Sequence, residues 1–150
     1  MRLFWIVSFA LITFGAAPAL ACDYCADLEK LKSSFAKVKP EPLNHGTIDQ
    51  QTKLVDEAST LLKKAMKVPK KLGSADWNRL LPFLGTVVTY DYQNLTADEL
   101  LPLLGSDHDY FFAEVTKAEK TGALSRAAAD EIRIAFSTAE AVQEDAKSQE

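Results

Sequence analysis

From Tyr24 onward the apolar residues fall at helical spacing. Tyr24, Leu28, Leu31, Phe35 and Val38 step by four, three, four and three, which is one face of a helix. Glu29, Lys30, Lys32 and Lys37 occupy the other faces, so the pattern predicts a helix over about 23–38. Pro40 and Pro42 end it and open a linker through Asn44, His45 and Gly46. A second helix is predicted from a capping box, Thr47 with Gln50 three residues on. Its wide stripe is Ile48, Leu54, Val55, Ala58, Leu61, Leu62 and Ala65. Lys63, Lys64 and Lys67 lie where cations favour the helix C-terminus, and Pro69 and Gly73 stop it.

The centre is richer in leucine and less regular. A segment starting near Ser74 or Asp76 runs through Trp77 to Gly85, and Pro82 inside it predicts a kink or break. Residues 86–92 are β-branched and aromatic, but no partner strand is in sight, so they read as helix. Leu100–Gly105 repeats Leu80–Gly85 in five of six positions at an offset of 20. The flanks barely match, so this is a short apolar turn used twice, not a duplicated unit. Thr96 and Glu99 are placed to cap the second copy. Ser106 opens a further helix with Asp107 and Asp109 in its first turn and Tyr110, Phe111, Phe112, Val115 and Ala118 on its apolar side. Gly122 reads as its C-cap. Ser125 caps a last helix, about 126–146, with the stripe Ala128, Ile132, Ala135, Phe136, Ala139, Val142 and Ala146. Its small residues admit a closely packed neighbour. The expected fold is all-α, a compact bundle of five to six helices. The first, second and last helices should frame it, with the broken centre and Trp77 as a plug.

The start of the chain has a different character. Arg2, the apolar run 3–14, small residues and the Ala-x-Ala at 19–21 form a secretory signal peptide, shorter than a membrane span. Residues 1–21 are therefore read as a leader and 22–150 as one helical domain without a transmembrane span. Losing the leader, which holds one basic and no acidic residue, takes the formal charge from −4 to −5. That disfavours general nucleic-acid binding. The leader has a bacterial look, so a periplasmic or secreted location is expected, with an unidentified envelope protein or other envelope component as partner.

Cleavage after Ala21 puts Cys22 first, with Cys25 three residues on. Haem attachment fails because Ala26, not histidine, follows Cys25. A thioredoxin-like centre lacks the preceding strand, and a zinc site would need His45 and His108 from unrelated segments. The readings left open are a disulfide stapling the first helix, a lipid anchor on Cys22, and a redox pair. His108 between Asp107 and Asp109 is a weak metal candidate, read first as part of a solvated helix turn. Lys63, Lys64, Lys67, Lys70 and Lys71 form the one basic cluster, a candidate anionic-surface patch. Trp77, Tyr90, Tyr92, Phe111 and Phe112 are the candidate partner-binding aromatics. No catalytic motif or cofactor site stands out, so a non-enzymatic binding protein is expected. A ligand-holding or redox domain using Cys22 and Cys25 is the alternative.

Overall fold

Helix α1 (Cys25–Phe35) buries the face that its spacing announces: Leu28, Leu31 and Phe35 are buried, and Val38 closes the turn beyond. The structure, a computed structural model, describes residues 22–38 and 45–148. The expected leader, the linker prolines Pro40 and Pro42, and the last two residues lie outside them. The described chain is all-helical. After α1 come α2 (His45–Ala65), a 3-10 turn (Pro69–Lys71), α3 (Ser74–Tyr90), α4 (Leu95–Leu104), a second 3-10 turn (Gly105–Asp107), α5 (His108–Lys120) and α6 (Arg126–Ser148). Helix α2 begins two residues before the expected cap at Thr47, so His45 is helical, not a loop residue. Neither His45 nor Gly46 bars the helix as a proline would, and Pro42 lies further back. None of the described helices is long and apolar enough to cross a membrane.

The centre of the chain is the centre of the core, not a plug between longer helices. Helix α3 packs on α2, α4, α5 and α6 and buries Trp77, Leu80, Leu81, Phe83, Leu84, Gly85, Val87 and Val88. Of the kink or break expected at Pro82, a break is excluded: one helix runs through it. An internal proline costs about 3 kcal/mol or more. Burying each large apolar side chain returns about 1.5–3 kcal/mol, and such residues flank Pro82 on both sides. Helix α4 likewise runs through Pro102. There the carbonyl of Asp98, four residues back, accepts a hydrogen bond from Gln143 Nε2 of α6 at 3.4 Å. A side chain from another helix thus serves a carbonyl that the proline cannot.

Helix α6 lies against α3 and α4. Its small residues do allow close approach: a Cβ added to Gly85 would stand 2.8 Å from the Cβ of Ala128. Ala129, Ile132, Ala135, Phe136 and Ala139 are buried, but Val142 is 56% exposed and Ala146 is exposed. The helix outlasts the bundle, so the expected stripe holds only to Ala139.

The helix ends are set by a few polar side chains. Ser125 caps α6 as expected, its Oγ accepting from the Ala128 N–H at 3.2 Å. Thr96 lies inside α4, whose N-cap residue is Asn94, and the first amides are served by Asp91: its carboxylate oxygens accept from Leu95 at 3.2 Å and Thr96 at 2.7 Å. Asn94, at φ 55°, turns the chain back so that those amides meet Asp91. Thr96 is buried with its hydroxyl unpartnered, and Glu99 reaches away to Ser59 and Lys63 of α2. Gly122, at φ 75°, ends α5 as expected, with the Leu124 N–H bonded to the Ala118 carbonyl.

Candidate functional site at the start of the first helix

Cys22 and Cys25 are joined as a disulfide, with their Cα atoms 5.3 Å apart. Cys25 is the first residue of α1, and its N–H bonds back to the Cys22 carbonyl at 3.2 Å. Both residues are only half-buried. Between them Tyr24 donates its hydroxyl to Asp76 Oδ1 at 2.7 Å, while Asp76 Oδ2 accepts from the Gly73 N–H at 3.1 Å. One carboxylate therefore ties the start of α1 to the start of α3. Burial first, and then the bond to Asp76, push the Tyr24 phenol well above its ordinary pKa. Arg79, one turn along α3, places Nη1 3.8 Å from Cys25 Sγ and 4.0 Å from Asp76 Oδ1.

A groove of about 230 Å³ between α1 and α2 opens beside this junction. Its apolar floor is Leu31 and Leu61. Asp27 and Lys30 of α1 face Glu57 and Lys64 of α2 across the rim, Ser34 and Thr60 add hydroxyls, and Tyr24 forms one wall. The arrangement combines apolar contact with both signs of charge.

The aromatic residues expected to anchor a partner are mostly core. Trp77 is 2% exposed and Phe111 is fully buried. Trp77 packs against Tyr110 and Phe111 with ring centroids 6.2 Å and 6.1 Å away. Phe112 is half-buried over Phe136, and Tyr90 is half-buried against Phe35, its hydroxyl donating to the Val38 carbonyl at 2.8 Å. Tyr92 alone of the five is exposed, at 59%. The basic cluster is divided too. Lys63 pairs with Glu99 at 3.0 Å and Lys70 with Asp107 at 2.5 Å, leaving Lys64, Lys67 and Lys71 exposed without an ion pair among the described residues.

His108 is not simply solvated. Its ring lies 4.7 Å from that of Phe112, and Nε2 sits 2.5 Å from Glu140 Oε1 of α6. The ring nitrogen is not directed along a hydrogen bond, so this is a close contact joining α5 to α6. Among the described residues no three His, Cys, Asp or Glu side chains converge as metal ligands.

Sequence reasoning found the cysteines but missed Arg79, Asp76 and the groove. Arg79 lies 54 residues from Cys25, and no local pattern marks it as a neighbour of the sulfur. No protein-family model matches the chain, no curated protein shows significant similarity to it, and no solved structure matches it significantly.

Proposed function

We propose that the chain is a small exported, non-enzymatic binding protein of the bacterial cell envelope. It takes a segment of another envelope protein, or another envelope component, in the groove between α1 and α2. The observation that carries the reading is the groove itself: an apolar floor of Leu31 and Leu61 under a rim of Asp27, Lys30, Glu57 and Lys64. Concave apolar sites with a few placed polar groups are where ligands gain contact area and orientation together. A rim of both signs suits a peptide bearing both, more than a purely anionic surface. The pairing of Lys63 and Lys70 with acids also weakens the anionic-surface reading. Export rests on the leader pattern at 1–21. A lipid on Cys22 would need the sulfur that the disulfide occupies, which favours plain cleavage.

The test is site-specific photo-crosslinking in the host envelope. A photoreactive residue replaces Ser34 or Thr60 in the groove, or Thr138 on the outer face of α6. Discrete adducts from the two groove positions and none from Thr138 are expected. Equal labelling from all three, or none, refutes the groove as the binding face. Intact mass of the same material reports whether the chain starts at Cys22 and whether that residue carries lipid.

A further inference from the structure

We infer that the Cys22–Cys25 pair is a thiol–disulfide exchange site, with Cys22 the sulfur attacked and Cys25 the leaving group, and that its substrate is a peptide or protein dithiol. The inference goes beyond the binding role proposed above by adding a redox activity at the sulfurs, and it does not require the groove to be occupied.

As a staple, the disulfide has little to hold. It closes a loop of sequence separation three, and so short a loop removes little unfolded-state entropy. Helix α1 is held without it. Leu28 and Phe35 are each 1% exposed in the core, and Tyr24 ties the first turn to Asp76. Neither cysteine is buried in the core: both are only half-buried, at the outer end of α1.

The surroundings of the two sulfurs are unequal. Cys25 begins an 11-residue helix, whose N-terminal amides and dipole favour an anion. The Arg79 guanidinium also donates toward its Sγ at 3.8 Å. Cys22 precedes the helix. Other charges lie on the neighbouring elements: Asp23 just before α1, Asp27 in its first turn, Asp76 on α3, and Glu57 and Lys64 of α2 at the groove. Asp23 and Asp27 are exposed to water and screened. Asp76 lies 4.0 Å from Arg79 Nη1, but its two oxygens already accept from Tyr24 and the Gly73 N–H, and Nη1 is slightly nearer the sulfur at 3.8 Å. The balance therefore favours a Cys25 thiolate.

The chemistry closes without any other oxidant. A substrate thiolate attacks Cys22 Sγ, forming a substrate–Cys22 disulfide and breaking the Cys22–Cys25 bond. Cys25 leaves with the electron pair as a thiolate beside Arg79. The second substrate thiolate then attacks the substrate sulfur of the mixed disulfide, forming the substrate disulfide and releasing Cys22, which takes up a proton. The substrate gives two electrons and the cysteine pair receives them. Exchange is faster when the leaving thiol has a low pKa.

The test uses the chain from Cys22 onward. In Cys22→Ser, thiolate absorbance against pH should place Cys25 at about 7 or below, against about 8.5 for a free cysteine. Equilibration of the unsubstituted chain with reduced and oxidised glutathione reads the same preference. Arg79→Gln should shift that equilibrium about tenfold toward the disulfide, and Arg79→Lys by less, with helical circular dichroism unchanged. A Cys25 titrating at 8.5 or above overturns the inference, and Cys22→Ser settles that even if the Arg79 variants unfold. A glutathione equilibrium unmoved by folded Arg79→Gln overturns it as well.

Discussion

The contact between Gly85 and Ala128 allows a prediction whose sign is informative. Replacing an interior helical glycine by alanine ordinarily stabilises a helix by about 1 kcal/mol. Here the new Cβ would lie 2.8 Å from the Cβ of Ala128, where carbon atoms rest at about 3.5–4.0 Å. The helices must separate by about 1 Å, because both atoms are fixed to backbone and no flexible side chain can yield. Helix α6 is seated there by Ala129, Ile132 and Phe136, and α3 by Leu81 and Leu84, all fully buried. Overpacking of this kind costs about 1–3 kcal/mol. With the helical gain subtracted, Gly85→Ala should destabilise by about 1 kcal/mol. Ala128→Gly should cost a similar amount by weakening α6. In the double variant the new methyl faces the Cα and carbonyl oxygen of residue 128 at 3.6 Å and 3.8 Å, ordinary contacts. The propensity terms cancel, so the double variant should return close to the starting stability, with a coupling of about 2 kcal/mol. Urea unfolding followed by helical circular dichroism measures all four corners of the cycle. A Gly85→Ala chain more stable by about 1 kcal/mol, or strict additivity, refutes the close approach.

Three further outcomes are expected. Asp91→Ala should cost about 1–2 kcal/mol in chemical denaturation, because two amides at the start of α4 lose their acceptor; an unchanged midpoint contradicts the cap. Tyr24→Phe should cost about 1 kcal/mol. In the parent chain the raised Tyr24 phenol favours the folded protein below the ordinary tyrosine range and loses that contribution as pH rises toward the folded value. Ultraviolet titration should accordingly show one late-ionising tyrosine that Tyr24→Phe lacks. Glu99 is held below the usual carboxylate range by the Ser59 hydroxyl and then by Lys63, so its contribution is full above the unfolded carboxyl pKa and fades as pH falls through the folded one. Ser59→Ala should weaken the protein at neutral pH by more than it does under acid conditions, and a pH-independent difference contradicts the assignment.

Much of the architecture was legible because it follows from spacing. The face of α1 from Leu28 to Phe35, the Ser125 cap and the Gly122 terminus are each set by residues a few positions apart. The failures share a cause, which is burial decided by distant chain. A break at Pro82 stayed open in the sequence because the core that keeps the helix continuous comes from α2, α4, α5 and α6. Thr96 looked like a cap because Asp91 gains access to the amides only through the left-handed Asn94. Trp77 and Phe111 looked like partner anchors because one residue list serves equally for a surface cluster and a core. At the candidate site the cysteines declare themselves in the sequence, but the Arg79 contact and the groove exist only once the start of α1 meets the start of α3 and α1 packs beside α2.

Two features on α6 together fix how far it can slide. Near one end Ala128 fits the space left by Gly85, and toward the other Gln143 meets the carbonyl of Asp98. Fifteen residues of helix separate them, about 22 Å at 1.5 Å per residue. A slip by one turn, about 5.4 Å, would drive a larger side chain onto Gly85 and strand the Asp98 carbonyl at once. One point sets the register by shape and the other by hydrogen bonding, so an error at either end is felt at both. The alanine-rich stripe alone would accept several axial positions; these two contacts select one.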